Sequence, residues 1–396
     1  MKTKKLAFIL LLSLFISTAS FSSATFSSIG SHSIPNRLMI TSQEDISMIM
    51  ITNNLELAEQ SSSGVGTRSD PYIIEGLSIN ARYCLLITGT TAFFTIRDSE
   101  FIDYPSSRGG GAVVTLDQVS HGTIENCYVR GGEIAITISR STDCSIINCE
   151  TFDAYNGIFL TDSDNCTITD CNSFGNRIGV MLVYSNLCRI INNSIYSNSE
   201  RGIHVEVFCE NNIIAGNEIG WNPGLNIIDY GVNTTFADDV TFGNAWSDYN
   251  ASVDYDIPGP GGSTDNFARL LTDTIMPIVF GLSDLIVDVE NTGESMTWSA
   301  SDIFHSLYQI SIDGTEVESS AWDGRAITFD LDDLGVGTYE IVLSVFDGAG
   351  NERTDEVTVS VISFILGGIG TELVMLASGV TVVCFIVIIL VIKRFP

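Results

Sequence analysis

A 22-residue repeat in the middle of the chain limits the folds that it can adopt. The isoleucine of an I-x-N-C motif, or of a close variant, returns every 22 residues at Ile124, Ile146, Ile168 and Ile190. Self-similarity with a period of about 20–50 residues is typical of solenoids, whose repeats pack only on their neighbours. The sequence therefore predicts a stack of similar coils.

The spacing of apolar residues inside each repeat indicates β-strands. Apolar side chains occupy every second position, as in Ile158 and Leu160 or Val180 and Leu182, and this period of two is that of a strand. The sequence therefore predicts an all-β fold, a parallel β-helix. Seven isoleucines mark its coils: Ile74, Ile96, Ile124, Ile146, Ile168, Ile190 and Ile214. A second column, made of mostly small residues, recurs with nearly the same period: Val113, Ala135, Gly157, Gly179, Gly202 and Gly224.

Both ends of the chain carry membrane-targeting signals. A basic start, an apolar run and small residues predict a signal peptide over residues 1–24. The stretch Leu373–Ile392 has 20 residues without a charge, which is long enough to span a bilayer as a transmembrane helix, although a buried core helix is the alternative. Lys393 and Arg394 follow, so residues 393–396 should be a cytoplasmic tail. The prediction is a single-pass cell-surface protein with its N-terminal ectodomain outside.

The charge of the chain bears on its partners. All 48 Asp and Glu lie between Lys5 and Lys393, where the sequence has 13 Arg and no Lys, so this stretch carries a formal charge of −35. Such a surface repels nucleic acid and favours cations. We therefore expect no nucleic-acid partner, and Ca²⁺ is the one cofactor left open. Four sequons predict N-glycans: Asn165, Asn192, Asn233 and Asn250.

Composition changes divide the exported part into three. Residues 25–65 read as an N-terminal segment with a capping helix, because Thr41–Glu44 resembles a capping box and Ile46, Ile49 and Met50 follow with amphipathic spacing. Residues 66–266 form the β-helix and its closing cap. Residues 267–362 show longer alternating strands separated by turn signals, which predicts an antiparallel, Ig-like β-sandwich acting as a stalk.

Three stretches of the sequence are informative about its relatives: DPYIIEGLSI with TTAFFTIRDSEF, the coils ending in CRIINNSIYSNSERGIHVEV, and GNAWSDYN with DYDIPGPGGSTDN. They resemble the right-handed parallel β-helix superfamily and, within it, the NosD-like family. The resemblance implies a right-handed helix. It also links the chain to periplasmic copper handling and, more widely, to carbohydrate binding and cleavage, but a shared fold does not establish a shared function.

Cysteine forms two further columns with the 22-residue period. One contains Cys127, Cys149 and Cys171, and the other contains Cys144, Cys166 and Cys188, with Cys209 as a candidate fourth member. Stacked coils would bring neighbours in a column to about 4.8 Å, within reach of a disulfide. A ladder of small buried side chains, continued by Asn193 and Asn217 in the first column, is the preferred interpretation. One or two disulfides remain the alternative.

The outward face supplies the candidate site residues. With a constant period, one column is Thr115, Thr137, Phe159, Met181, His204 and Asn226, and its neighbour is Asp117, Ser139, Thr161, Val183, Glu206 and Ile228. We predict a ligand face made by Phe159, Met181, His204 and Asn226. His204 and Glu206 are the candidate catalytic pair. Met181 and His204 are neighbouring soft ligands, and two ligands make a weak copper site, so no metal site is predicted.

These observations favour a non-catalytic protein that displays or binds a glycan, an envelope polymer or a protein at the cell surface. A repetitive face without converging catalytic groups is the reason. Two alternatives remain open: a polysaccharide lyase or hydrolase of the β-helix type, and a structural cell-envelope coat protein.

Overall fold

The computed structural model describes residues 48–103, 111–237, 242–250 and 254–363. The predicted signal peptide (1–24), membrane span (373–392) and tail (393–396) lie outside these ranges. Within the ranges, the chain has no helix that is both long and apolar enough to cross a membrane.

The chain from Ile49 to Leu270 winds into a right-handed parallel β-helix whose coils contribute strands to three sheets. Sheet A contains β1 (Ile49–Ile51), β4 (Leu85–Thr88), β7 (Ala112–Asp117), β10 (Ile134–Ser139), β13 (Asn156–Thr161), β16 (Ile178–Val183), β19 (Arg201–Val205) and β22 (Leu225–Asp229). Sheet B contains β2 (Tyr72–Glu75), β5 (Phe94–Arg97), β8 (Gly122–Glu125), β11 (Ser145–Ile147), β14 (Thr167–Thr169), β17 (Arg189–Ile191) and β20 (Ile213–Ala215). Sheet C contains β3 (Ser78–Asn80), β6 (Glu100–Asp103), β9 (Tyr128–Gly131), β12 (Glu150–Phe152), β15 (Asn172–Phe174), β18 (Ser194–Tyr196), β21 (Glu218–Gly220), β23 (Ala245–Trp246) and β26 (Arg269–Leu270). A short hairpin, β24 (Tyr255–Asp256) and β25 (Thr264–Asp265), packs near the end of the stack.

The predicted isoleucine column is confirmed. Ile146 pairs in register with Ile124 on one side and with Ile168 on the other, and Ile168 pairs with Ile190. All four side chains are fully buried. Each coil therefore hides the apolar edge of the next, and β1 adds a turn before the seven that the isoleucines predicted.

Asn and Asp make the corners between sheets B and C. Asn126, Asn148, Asp170 and Asn192 have φ between 49° and 56°, which is the left-handed region that these residues tolerate better than others. Their recurrence every 22 residues therefore reflects a backbone requirement of each coil.

Inside these corners a ladder of side chains accepts hydrogen bonds from the backbone of the preceding coil. The Cys149 amide donates to Cys171 Sγ (3.4 Å), and the Cys171 amide donates to Asn193 Oδ1 (2.9 Å). The ladder continues through Asn217 and Asn244, and the Asn244 amide donates to Asp265 Oδ2 (2.7 Å). Thiols and amides thus fill equivalent places, as the cysteine column implied.

The prediction that Cys209 follows Cys188 is wrong. The Cys188 amide donates to Asn212 Oδ1 (2.8 Å), whereas Cys209 Sγ accepts from the Ser185 amide at the end of a separate serine column. The eight cysteines in the described ranges are buried free thiols.

The predicted capping helix is misplaced. Ile49 and Met50 belong to strand β1, which pairs with β4, and the helix α1 spans Asn54–Gln60. Asn53 caps it by accepting hydrogen bonds from the Leu55 and Glu56 amides, and Glu56 accepts from the Thr52 amide in return. The pattern is close to a capping box, except that Glu56 reaches the amide one residue before the cap, and α1 buries Leu57 over the first coil.

Residues after β26 form a two-sheet sandwich. One sheet contains β27 (Ile278–Phe280), β29 (Ser295–Ser301) and β32 (Ile327–Asp330), and the other contains β28 (Leu285–Asp288), β30 (His305–Ile312), β31 (Thr315–Ala321), β33 (Gly337–Asp347) and β34 (Glu352–Ile362). Most pairs are antiparallel, but β28 runs parallel to β34, so the predicted fully antiparallel arrangement is wrong at this edge. Trp298 and Trp322 are buried in its core, as expected.

The sandwich packs against the side of the β-helix, where the sequence predicts a stalk. Its Phe304 contacts the rings of Tyr196 and Trp221, and its Asp323 accepts a hydrogen bond from the Tyr128 hydroxyl (2.8 Å). The Tyr196 hydroxyl donates to the Ile303 carbonyl. The sandwich therefore covers the outward face of sheet C.

Candidate functional site

The outward face of sheet A carries a continuous column of side chains, several of which are partly exposed. Thr115, Thr137, Phe159, Met181 and His204 pair strand by strand in register. Phe159 and Met181 are partly exposed, whereas Thr137 and His204 are largely enclosed by their neighbours. The fold thus brings these predicted ligand-face residues into one line.

The column ends with Ile228, and the prediction of Asn226 there is wrong. Ile228 lies opposite His204. Asn226 is buried and follows Gly202 in the small-residue column, in the place predicted for Gly224. Its side chain accepts from Asn222 Nδ2 (3.0 Å) and donates to Asp248 Oδ1 (2.7 Å).

The small-residue column is explained by close packing between coils. A Cβ on Gly157 or Gly179 would come within 2.7 Å of the carbonyl oxygen in the next coil, and one on Gly202 within 2.5 Å of the Asn226 carbonyl oxygen. Larger residues there would push the coils apart.

His204 is held in one orientation on this face. Arg201 Nη1 lies 3.1 Å from His204 Nδ1, and since a guanidinium only donates, Nδ1 accepts and Nε2 carries the proton of the neutral ring. Nε2 lies 3.2 Å from Glu206 Oε1 but without the alignment of a hydrogen bond. Burial, and then Arg201, lower the pKa of His204, while Glu206 opposes the shift. His204 is therefore a neutral donor at neutral pH.

A chain of ion pairs borders the face on one side. Glu200 pairs with Arg177 (2.5 Å) and with Arg201 (3.2 Å), and the Arg177 guanidinium lies 4.3 Å from the Tyr155 ring centre. Tyr155 and Arg177 are separated by the 22-residue period, but the alternation of apolar residues in the strands does not indicate them as site residues. Glu200 thus holds the Arg201 side chain in place, and Arg201 in turn orients the His204 ring.

The other border is formed by the corner after each sheet A strand. Arg140 makes two hydrogen bonds to Asp117 (2.9 and 2.6 Å). Two coils further on, Tyr184 and Phe208 stack with ring centres 5.5 Å apart and planes 9° from parallel. Tyr184 and Phe208 lie after the ends of β16 and β19, so the alternating strand pattern does not predict this stack.

The two outward columns do not bring two carboxylates together. Asp117 and Glu206 are separated by Ser139, Thr161 and Val183, so they lie four coils or about 19 Å apart at the usual strand spacing. Glycoside hydrolysis needs two carboxyl groups within about 5–9.5 Å, and Asp117 is already paired with Arg140. The geometry of these columns suits binding better than hydrolysis.

In the part of the chain that the structure describes, two groups of residues could contribute to a metal site. Met181 and His204 are register neighbours, which is half of a soft-metal site at most. Asp273, Asp302 and Asp347 bring carboxylate oxygens within 4.8 Å of one another, away from sheet A. Burial, together with Asp347 and Asp273, raises the pKa of Asp302. These oxygens are of the kind that Ca²⁺ prefers.

The predicted glycosylation sites are all accessible. Asn165, Asn192, Asn233 and Asn250 have exposed side chains. Asn165, Asn192 and Asn233 have positive φ at corners of the coils.

The fold defines a protein of the parallel β-helix superfamily, and a family comparison agrees. Residues 78–238 match the family described as "Periplasmic copper-binding protein (NosD)". This segment runs from β3 to the corner after β22. No curated protein matches the chain.

Solved structures of similar fold include tailspikes, lyases and an epimerase. The Dettilon tailspike protein is 15% identical with a TM-score of 0.37, and the alignment covers 69% of this chain and 62% of that one. The DFA-IIIase from Arthrobacter chlorophenolicus A6 in complex with GF2 is 13% identical (TM-score 0.34; 55% and 54% covered), and pectate lyase Pel9A is 12% identical (TM-score 0.34; 57% and 65% covered). The chain thus spans between half and two thirds of these proteins. Likeness at this level carries no argument about function.

Proposed function

We propose that this protein is a cell-surface binding protein that holds a glycan along the outward face of sheet A without cleaving it. The observation that carries the proposal is the in-register column from Thr115 to Ile228, bordered by fixed charges and lacking a close pair of carboxylates. The signal peptide and membrane anchor read from the sequence support a surface location, with the sandwich as an Ig-like module.

The chemistry of the column suits a sugar polymer. Phe159 and Met181 offer apolar contact area, while Thr115 adds a partly exposed hydroxyl to the same column. Ligand sites generally combine apolar walls with a few oriented polar groups. Because the column repeats once per coil, it fits a ligand that also repeats.

Binding to purified polysaccharides tests the proposal. We expect the full-length chain to bind at least one polysaccharide, and Met181→Ala to weaken that binding by about tenfold or more. Ile191→Ala is the matched control, because Ile191 is a partly exposed residue of the next sheet in the same coil. Equal loss in both variants, or no polysaccharide bound at all, would contradict the proposal.

The His204–Glu206 pair gives the enzyme alternative its one specific support. If the wild type depolymerises a bound polysaccharide, and if both His204→Ala and Glu206→Gln abolish this activity, the protein is a lyase or hydrolase and not a non-catalytic binding protein. We expect no change in polymer length under the same conditions.

The alternative function as a structural coat protein would use a cation to join molecules. The Asp273, Asp302 and Asp347 carboxylates are the group that Ca²⁺ would engage. Ca²⁺-dependent self-assembly that Asp302→Asn abolishes would favour a structural coat.

A further inference from the structure

An apolar corner stands out on the surface beside the proposed glycan face. It consists of Tyr184, Leu187, Val207 and Phe208, whose side chains are 44–66% exposed. Backbone contacts link its two coils, since the Leu187 amide donates to the Glu210 carbonyl (3.0 Å). Exposed apolar patches on soluble domains commonly mark contact surfaces.

The backbone at this corner is unfavourable for the residues that occupy it. Tyr184, Leu187 and Phe208 have φ of 49°, 56° and 64°. Bulky side chains in the left-handed region are uncommon and cost stability. Packing in the core does not explain their choice, because all three side chains point largely into solvent.

Earlier coils place polar residues at the same corners. Arg140 and Asp162 precede Tyr184 in one positive-φ column, and Asp143 and Asn165 precede Leu187 in the other. Tyr184 and Phe208 thus put strained apolar residues at one corner in two consecutive coils, and Leu187 does so in one coil before Asn211 restores a polar residue. A contact function accounts for this exchange.

The corner continues the proposed binding face. Tyr184 directly follows Val183, the last residue of β16, and Phe208 follows Glu206 by two residues. A polymer lying along the sheet A column therefore reaches the Tyr184–Phe208 stack at the level of Met181 and His204.

The charges around the corner indicate which glycan it accepts. Asp162, Asp164, Glu206 and Glu210 surround it, and the nearby cation Arg140 is held by Asp117. Arg189 points outward on sheet B, beyond the corner. Carboxylates accept hydrogen bonds from sugar hydroxyls but repel uronate or sulfate groups.

We propose that the Tyr184–Phe208 stack is an aromatic subsite that selects neutral over acidic glycans, an inference that rests on the proposed glycan-binding function. The rings contact the C–H faces of neutral sugar units, and the surrounding carboxylates bind their hydroxyls. A cationic peptide is the competing occupant, because the same carboxylates would attract it.

Binding of the full-length chain to a neutral β-glucan, to polygalacturonate and to an oligolysine peptide tests this assignment. We expect the neutral polymer to bind at least tenfold tighter than polygalacturonate. The double variant Tyr184→Ala/Phe208→Ala should weaken it by about tenfold or more, and Tyr184→Phe should retain it. Phe280→Ala is the control, since Phe280 is 62% exposed on the sandwich, comparable to Phe208 at 66%.

The outcomes separate the two proposals. Glycan binding that Met181→Ala weakens but the double variant leaves intact would overturn the aromatic subsite and keep the sheet A face. Preference for polygalacturonate, or oligolysine binding lost in the double variant, would overturn the neutral-glycan assignment. Unchanged circular dichroism and melting temperature in the double variant show that any loss is local, because exposed side chains contribute little to stability.

Discussion

Sheets A and C each present an outward column that includes large apolar side chains, but among the described residues another part of the chain covers only the column on sheet C. Phe152, Phe174 and Tyr196 on sheet C are 0–1% exposed, because the sandwich lies over them. Phe159 and Met181, on the same coils of sheet A, remain partly exposed. The 22-residue period thus determines where a column runs, and a distant segment determines whether it serves packing or binding.

The two faces also use their polar groups differently. On the covered face, Arg325 of the sandwich pairs with Glu100 (2.6 Å) and lies 3.9 Å from the Tyr128 ring centre. On the open face, Arg201 and Glu206 orient His204, whose Nε2 has no hydrogen-bond partner within the described residues. The first arrangement closes an interface between two domains, and the second holds a buried ring beneath an open face.

Truncating one phenylalanine on each face should give the largest difference in stability between the covered face of sheet C and the open face of sheet A. Phe174→Ala should lower the free energy of unfolding by about 3–5 kcal/mol, because it leaves a cavity beneath the sandwich. Phe159→Ala, in the same coil, should cost roughly 1 kcal/mol or less. Urea unfolding measures both, and equal losses would mean that the two faces are equally covered.

Glu150 should make the covered face sensitive to pH. Burial, followed by the charge of Asp323, raises the pKa of Glu150 to about 7, while Arg325 opposes the shift. The folded state therefore favours the protonated carboxyl, and stability present below the ordinary pKa near 4.5 is lost as the pH rises towards 7. The loss should be on the order of 3 kcal/mol at most.

Glu150→Gln isolates this effect, since glutamine cannot ionise. The variant should melt at a higher temperature than the wild type at pH 8 and at a similar temperature at pH 4. The Tyr128 and Tyr196 hydroxyls and the Asp323 and Arg325 charges face the same region and remain in both proteins. A constant difference across the pH range would show that Glu150 does not titrate between these values.

Sequence reasoning located the columns wherever the period stays at 22 residues. Ile124 to Ile190 and the step from Cys149 to Cys171 follow from counting alone. The errors at Cys209, Gly224 and Asn226 share one cause. The period lengthens to 24 residues between His204 and Ile228 and between Cys188 and Asn212. The sequence shows that these coils are longer, but it does not show at which corner the extra residues lie.

The cover over sheet C was beyond the reach of the repeat pattern. Phe152, Phe174 and Tyr196 have a 22-residue spacing that is visible in the sequence. Their partner Phe304 lies in another domain, more than 100 residues away, and depends on how the sandwich docks. The Tyr184–Phe208 stack was missed for a related reason, because it forms at corners that alternation does not describe.

Removing one tyrosine hydroxyl from each face should give a smaller difference in stability between the two faces. Tyr128→Phe deletes the hydrogen bond to Asp323 and should cost about 0.5–1.5 kcal/mol. Tyr184→Phe on the open corner should change stability by less than about 0.5 kcal/mol. Thermal unfolding of the two variants beside the wild type checks the difference, and a reversed order would contradict it.

The smallest expected effect concerns His204 on the open face. Because burial lowers its pKa below 6.5, the unfolded chain takes up the proton first, and stability falls slightly as the pH drops below 6.5. NMR titration should place the His204 midpoint below 6.5, and Glu206→Gln should lower it further, since Glu206 favours the charged ring. A midpoint at or above 6.5 would mean that the ring is more solvated than its position on sheet A implies.

The carboxylate of Asp265 has a consequence for how the molecule ends. It accepts hydrogen bonds from the Asn244 amide, the Asn244 side chain and the Trp246 indole through Oδ2, and from the Phe267 amide through Oδ1. The two oxygens of one carboxylate thus terminate a ladder that thiols and amides carry through the preceding coils.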